Sequence, residues 1–377
     1  MDTPRLPPEL LPVDGRFGSG PSKVRPEALA ALAGTGARLL GTSHRQPPVR
    51  SLVARTRAGL RALWDLPEGH RVALGNGGST LFWDVVAASL VERRSAHGVF
   101  GEFGAKFAGA VTRAPHLDEP LVTEAPPGQV AVAPAAQGVD LYALVANETS
   151  TGAAGPLRRP AGADPCSLVV ADATSAAGSI RWDPTEVDAY YFAPQKGFGS
   201  EGGLWLAVLS PAALERAGRI RAGAAGVRRW LPDSLDLLAA LEQSELDQTV
   251  NTPAIATLFL LADQLEWLLG QGGMAFSVQR CARSAAALYG WAERSEFAAP
   301  FVARPEDRSP VVGTVDFDPA VDAAAVAAAL RANGVVDTEP YRKLGRNQLR
   351  IGMFPAVDPA DVEALTACID WLVERLA

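Results

Sequence analysis

The sequence predicts an α/β protein, with a mostly parallel central sheet sandwiched by helices in a large domain and a smaller α+β domain after it. Three observations carry this prediction. Between about Val72 and Val208 short apolar runs recur that are continuous rather than alternating, the mark of strands buried on both faces. Helical periodicities are interleaved with these runs. From about Gln271 the tail reads as a compact α+β unit of its own, and 377 residues exceed what one ordinary core organises. The expected division is residues 17–270 for the large domain and 271–377, with the N-terminal segment 1–16, for the small one.

Taken in order, "PEALAALAG" (Pro26 to Gly34) has helical spacing and "RVALG" (Arg71 to Gly75) reads as a strand. "STLFWDVVAASLVE" (Ser79 to Glu92) is helical again. "HGVFG", "LYALVANE", "CSLVVADATS", "AYYFAP" and "GLWLAVLS" follow as buried strands bounded by Gly, Pro, Asn or Asp. Helical patterns return in "TPAIATLFLLADQLEWLL" (Thr252 to Leu269) and "SVQRCARSAAALYGWAE" (Ser277 to Glu293). In the tail, "SPVVGTVDFDP" and "NQLRIGMF" are strand-like, "AVDAAAVAAALRANG" is helical, and the helix of "DPADVEALTACIDWLVERLA" has Asp358 as its cap. "TEAPPGQVAVAPAAQG" reads as connecting surface.

The bulk numbers exclude several classes. A composition 48% hydrophobic and 20% charged is that of a globular protein, and no apolar run nears the roughly 20 residues that span a bilayer. The start, "MDTPRLPPELLPVDGRFGSG", has prolines and acids where a signal peptide needs a basic start and an apolar stretch, so a cytoplasmic protein is expected. A net charge of −7, from 35 basic against 42 acidic residues, argues against a nucleic-acid partner. Cys166, Cys281 and Cys368 are odd in number and widely spaced, so they read as small buried hydrophobes rather than as a disulfide framework or a metal site.

"YYFAPQKGFGSEGGLWL" (Tyr190 to Leu206) contains G-x-G-x-x-G from Gly197 to Gly202. A dinucleotide fingerprint must open a helix, and this one leads into a strand-like run, so the match is read as accidental. Lys196 is more telling. It stands past the end of a buried strand, where open α/β sheets bind ligands, and a desolvated lysine becomes a nucleophile able to condense with an aldehyde. Asp172 closes another buried strand, where an unpaired carboxylate is costly and a pyridinium nitrogen would satisfy it. Upstream, "LGNGGSTLFWD" places Gly77, Gly78, Ser79 and Thr80 at the start of an apolar helix, where free N–H groups can hold a phosphate. Taken singly these are a surface lysine, a turn-capping aspartate and a helix cap. Together they match the aldehyde, ring nitrogen and phosphate of pyridoxal 5′-phosphate.

With those residues in view, the chain resembles the phosphoserine aminotransferase family of fold-type I pyridoxal-phosphate enzymes, most of all its actinobacterial branch. The likeness runs through "FGSGPSKVRPEAL", "TSHR", "NETSTG", "VVADATS", "APQKG", "NTPA" and "LRIGMF". It implies that Lys196 carries the cofactor and that Asp172 holds the ring nitrogen, with Gly78, Ser79 and Gln195 on its phosphate. It further implies Thr149 on the ring hydroxyl side, Ser175 as a ring neighbour, and Phe103 where family members stack an aromatic, often a tryptophan. Asn251 and Thr252 would reach the phosphate of a neighbouring subunit; their other reading is a helix start, capped by either residue with Pro253 in the first turn. Arg350 would clamp the substrate α-carboxylate through a bidentate fork. His44 and Arg45 would hold the distal anion in the partner's site. Arg342, Lys343 and Arg346 read as a solvated charge run. The implied unit is a homodimer with shared sites, and the implied reaction exchanges the amino group of L-glutamate with 3-phosphohydroxypyruvate. The alternatives are another fold-type I aminotransferase, of the alanine or serine:glyoxylate kind, and a non-catalytic pyridoxal-phosphate-binding protein.

Overall fold

The computed structural model of the chain describes residues 4–224 and 229–376. In chain order its helices are α1 (Pro26–Leu39), α2 (Pro47–Trp64), α3 (Ser79–Ser89), α4 (Glu102–Thr112), α5 (Pro211–Arg221), α6 (Leu237–Glu245), α7 (Ile255–Gly270), α8 (Gly273–Arg294), α9 (Ala323–Ala332) and α10 (Pro359–Leu376). The strands are β1 (Arg71–Gly77), β2 (Ser95–Val99), β3 (Leu121–Glu124), β4 (Leu141–Val145), β5 (Leu168–Asp172), β6 (Ala189–Phe192), β7 (Gly203–Leu209), β8 (Ala298–Pro300), β9 (Val312–Phe317) and β10 (Gln348–Gly352).

Seven strands form one sheet in the order β1-β7-β6-β5-β4-β2-β3. β7 pairs antiparallel with both β1 and β6, and every other pairing is parallel, so β7 alone runs against the rest. Successive side chains of β5, β6 and β7 enter opposite cores. Val169, Ala171, Tyr190, Phe192, Leu204 and Leu206 pack with α2 and α7. Leu168, Val170, Ala189, Tyr191, Trp205 and Ala207 pack with α3, α5 and α6. Two buried faces leave no polar positions, which is why these strands read as continuous apolar runs.

β8, β9 and β10 form an antiparallel sheet of their own. α8, α9 and α10 pack on it around Leu288, Val326, Leu330, Ile351, Leu365 and Ile369, and Leu6 and Phe17 of the N-terminal segment join this core. α8 serves both units: Met274 at its start belongs to the large core, and Leu288 near its end to the small one.

Several expectations need correction. α2, α4, α5 and α6 have no counterpart in the periodic reading. In α2 the buried positions Val49, Leu52, Val53, Leu60 and Leu63 are separated by Arg50, Arg55, Arg57 and Arg61, so the helix reads as a polar stretch. In α4, Gly104 and Gly109 interrupt the pattern. Cys281 and Cys368 are buried, but Cys166 is exposed. β5 starts only at Leu168, and Cys166 lies in the preceding turn, its N–H donating to Asp164 Oδ1 at 2.8 Å. The helix beyond Asn251 and Thr252 begins at Ile255, with Ala254 at the N-cap and no side-chain cap, so neither residue caps it and Pro253 precedes its first turn.

Candidate active site

Because β1, β4, β5 and β6 run the same way, their carboxyl ends lie on one edge of the sheet, the usual ligand edge of an open α/β fold. There a cavity of about 250 Å³ is lined by Gly20, Gly78, Ser79, Thr80, Trp83, Phe103, Val145, Asn147, Thr149, Asp172, Thr174, Ser175, Gln195 and Lys196. Nine residues singled out in the sequence thus meet in one place: Gly78, Ser79, Thr80, Phe103, Thr149, Asp172, Ser175, Gln195 and Lys196.

Lys196 is only 7% exposed. Its Nζ donates to Thr149 Oγ1 at 3.2 Å, Thr149 Oγ1 donates to Ser175 Oγ at 2.8 Å, and Ser175 Oγ donates to the Asn147 carbonyl at 2.9 Å. Burial, reinforced by the nearby Arg350 cation, brings the Lys196 ammonium down to about 8, against the opposing pull of Asp172 and Glu148. The N-terminal segment closes over this lysine. Ser22 N donates to the Gln195 carbonyl at 2.8 Å and Ser22 Oγ to that of Lys196 at 2.5 Å. A Cβ on Gly20 would stand 2.5 Å from Lys196 Cε, and Gly20 has φ +141°, so no other residue fits at this approach.

Asp172 is not the unpaired carboxylate that its place at a strand end suggests. Its Oδ1 accepts from Thr174 N at 3.0 Å and Thr174 Oγ1 at 2.5 Å, and its Oδ2 accepts from Trp83 Nε1 at 3.1 Å. Ser79 Oγ lies 2.7 Å from Thr174 Oγ1. Since the Thr174 proton is aimed at Asp172, Ser79 is the donor of that pair. Ser79 does not cap α3: the N-cap is Gly78, which has no side chain, so the first-turn N–H groups stay available to an anion. The Phe103 ring flanks the cavity with Lys196 Nζ 5.4 Å from its centroid. Its backbone is fixed from behind by the fully buried Glu148, whose Oε2 accepts from Phe103 N at 3.1 Å and Gly104 N at 3.0 Å. Burial raises the Glu148 carboxyl, against its hydrogen bonds from Ser150 and Gly104.

Arg350 reaches this site from β10. Its Nη1 donates to the Thr149 carbonyl at 3.2 Å, and its guanidinium lies 5.4 Å from the centre of the Tyr341 ring. Burial lowers its affinity for the proton. Arg350 Nε, Gln195 Oε1, Asn147 Oδ1 and Ser19 Oγ are all buried without a hydrogen-bond partner among the described residues. Buried polar atoms normally have partners; Gln195 and Asn147 line the cavity, and Arg350 is bonded to Thr149 of that lining, which marks a place shaped for a polar ligand.

Four expected residues lie elsewhere. His44 Nδ1 is 3.1 Å from Thr252 Oγ1, and Arg45 Nη1 donates to Gln248 Oε1 at 2.5 Å. Asn251 and Thr252 are exposed, and none of the four lines the Lys196 cavity. Burial and the Arg45 charge keep the His44 imidazole below its usual range. In the charge run, Lys343 pairs with Glu102 and Arg346 with Asp316, its Nε 3.0 Å from Oδ2. Trp83, Thr174, Asn147 and Gly20 were not signalled by the sequence. Trp83 looks like one more apolar position of α3, and only the fold shows its N–H meeting Asp172. Among the described residues there is no cluster able to hold a metal and no helix long and apolar enough to cross a membrane.

The family model Aminotransferase class-V matches residues 131–339. A phosphoserine aminotransferase from Nocardioides sp. is 56% identical over 376 residues, covering 100% of both chains. Among solved structures, the phosphoserine aminotransferase of Cytophaga hutchinsonii superposes with a TM-score of 0.85 at 21% identity, covering 95% of this chain and 99% of that one. The pyridoxal-phosphate-bound phosphoserine aminotransferase of Trichomonas vaginalis does so with a TM-score of 0.80 at 18% identity, over 95% and 99%.

Proposed function

The chain belongs to the class-V aminotransferases and, on its whole-length relationship to the Nocardioides enzyme, to the phosphoserine aminotransferases; from that premise we propose that it transfers the amino group of L-glutamate to 3-phosphohydroxypyruvate, giving O-phospho-L-serine and 2-oxoglutarate. When bound, pyridoxal phosphate supplies an aldehyde for the amino group and a ring that takes up the electron pair left at the substrate Cα. The cavity fits that group: a buried amine stands on one side, a carboxylate with a free lone pair deeper in, and a helix start with open N–H groups beside Gly78 and Ser79.

In this reading Lys196 Nζ takes a proton from the substrate Cα in one half-reaction and returns one to that carbon in the other. A pKa of about 8 leaves a useful fraction of the amine neutral near neutrality. Asp172 keeps the ring nitrogen protonated, and its bonds from Thr174 and Trp83 hold it in place. Thr149 and Ser175 orient the lysine, Gln195 adds a contact to the phosphate, and Phe103 flanks the ring. Arg350 receives the α-carboxylate: its Nε is buried and unpartnered among the described residues, and a planar anion offers it an acceptor.

His44, Arg45, Asn251 and Thr252 serve the site of a second copy, Asn251 and Thr252 on the phosphate and the other two on the distal anion of the substrate. One cationic pocket can then accept both the γ-carboxylate of glutamate and a phosphate. The active unit is accordingly a homodimer, working in serine synthesis in the cytoplasm.

The observation that carries this reading is one cavity that joins the buried Lys196 to Asp172 and to the unsatisfied Gln195 Oε1 and Asn147 Oδ1, with Arg350 bonded to Thr149 of its lining. The test is a coupled assay with L-glutamate as donor and 3-phosphohydroxypyruvate, pyruvate or glyoxylate as acceptor. The phosphorylated acceptor should win in kcat/KM by roughly 10²-fold or more. Equal or better turnover of glyoxylate would instead make the chain an enzyme of the alanine:glyoxylate kind.

A further inference from the structure

Trp83 sits on α3 with 4% of its surface exposed, in the lining of the cavity that also holds Asp172. Its ring stacks on Phe107, with centroids 6.2 Å apart and planes 17° from parallel. A phenylalanine could make that packing. The indole adds one thing, an N–H, and a buried N–H needs an acceptor. It finds Asp172 Oδ2 at 3.1 Å.

The two carboxylate oxygens differ in what they have left to offer. Oδ1 takes two donors from Thr174, whereas Oδ2 takes only the Trp83 N–H and keeps a lone pair for a ligand. A donor on Oδ2 fixes the direction of that lone pair and draws off part of the negative charge it presents to a ligand.

We propose that Trp83 is a positioning residue that sets the orientation of Asp172 and the charge its Oδ2 presents to the cofactor ring nitrogen, a role that rests on pyridoxal phosphate occupying this cavity. The charged and titratable groups that act on Asp172 or share its surroundings are Lys196, Glu148, Tyr190 and Tyr191. None of them supplies this N–H.

The test is Trp83→Phe in the holoenzyme, which keeps the ring and removes the donor. Without the donor more negative charge stays on Oδ2 beside the cofactor, so the cofactor bound at Lys196 keeps its proton to higher pH. The pH midpoint of its visible absorption should rise by roughly half a unit, and kcat should fall roughly 3- to 10-fold with KM little changed. Asp172→Asn shifts the midpoint by itself, and adding Trp83→Phe to it should then change nothing more, because the effect travels through the carboxylate. In the wild type labelled with ¹⁵N, one indole N–H resonance should move on cofactor addition and again in Asp172→Asn. A Trp83→Phe midpoint equal to the wild type, the same shift in the Asp172→Asn background, or indole resonances indifferent to both changes overturns the proposal. A wild-type protein with no visible band, or a band that persists in Lys196→Ala, strikes instead at pyridoxal phosphate in this cavity.

Discussion

The cavity around Lys196 and the cluster of His44, Arg45, Gln248 and Thr252 are both polar, yet they are built in opposite ways. In the first, Lys196, Asp172, Thr149 and Ser175 are all buried; hydrogen bonds link Lys196, Thr149 and Ser175 in a chain and hold Asp172 to Thr174 and Trp83, so their geometry is fixed before any ligand arrives. In the second, Arg45, Asn251 and Thr252 are exposed and the side chains bond one another. Preorganised groups act at the reacting atoms, where misplacement by an ångström is costly. Exposed groups that merely hold each other are suited to a surface completed by something else, and in our reading that is a second copy of the chain.

The largest effect expected tests this contrast directly. Lys196→Ala should lower turnover by roughly 10⁴-fold or more, and Arg45→Ala should disable the partner's site. Mixed and allowed to exchange subunits, the two inactive proteins should regain about a quarter of the wild-type activity, since a mixed dimer carries one intact site. No recovery on mixing would put Arg45 to work within its own chain and erase the difference between the regions. Next in size, Arg350→Lys keeps the charge and loses the fork, and should reduce kcat/KM for glutamate roughly 10²-fold, measured by steady-state kinetics. A change within about twofold would make Arg350 a structural cation of β10. The smallest effect concerns pH. The rate at which the apoprotein captures pyridoxal phosphate should climb with pH around a midpoint of about 8, because only the neutral amine attacks. The lowered pKa also has a sign for stability: between about 8 and the ordinary lysine value the unfolded chain binds the extra proton, so apoprotein stability should rise with pH there. A capture midpoint near 10 would show that Lys196 is solvated and the cavity open.

How far the sequence could be read follows from what each feature depends on. β5 and β6 were legible because a strand buried on both faces leaves an unbroken apolar run, and Lys196 and Asp172 because each is a charged residue at the end of such a run. Arg350 was legible as the odd residue of an otherwise apolar strand. α2 was not, although Val49, Leu52, Val53, Thr56, Leu60 and Leu63 recur at helical spacing, because the four arginines between them make the stretch polar on average. Trp83 meets Asp172 only through the tertiary placement of α3, and no local pattern encodes that; Thr174 reaches it from two residues along, as a turn-capping aspartate would have it. The exposure of Cys166 turned on where β5 begins, a matter of two residues, and such edges are the least certain part of any pattern reading.

The segment from Arg16 to Ser22 has a consequence for how the molecule is made. Arg16 bridges to Val336, Phe17 N bonds the Val336 carbonyl, and Gly352 N bonds that of Phe17 at 2.7 Å, while Ser22 is fastened to Gln195 and Lys196. A ribosome emits this stretch long before its partners exist. Ser22 can be fastened once Gln195 and Lys196 exist, but Arg16 and Phe17 must wait for Val336 and β10. The catalytic end of the sheet is therefore covered by a segment made long before β10, and that cover is complete only when Gly352 can bond Phe17.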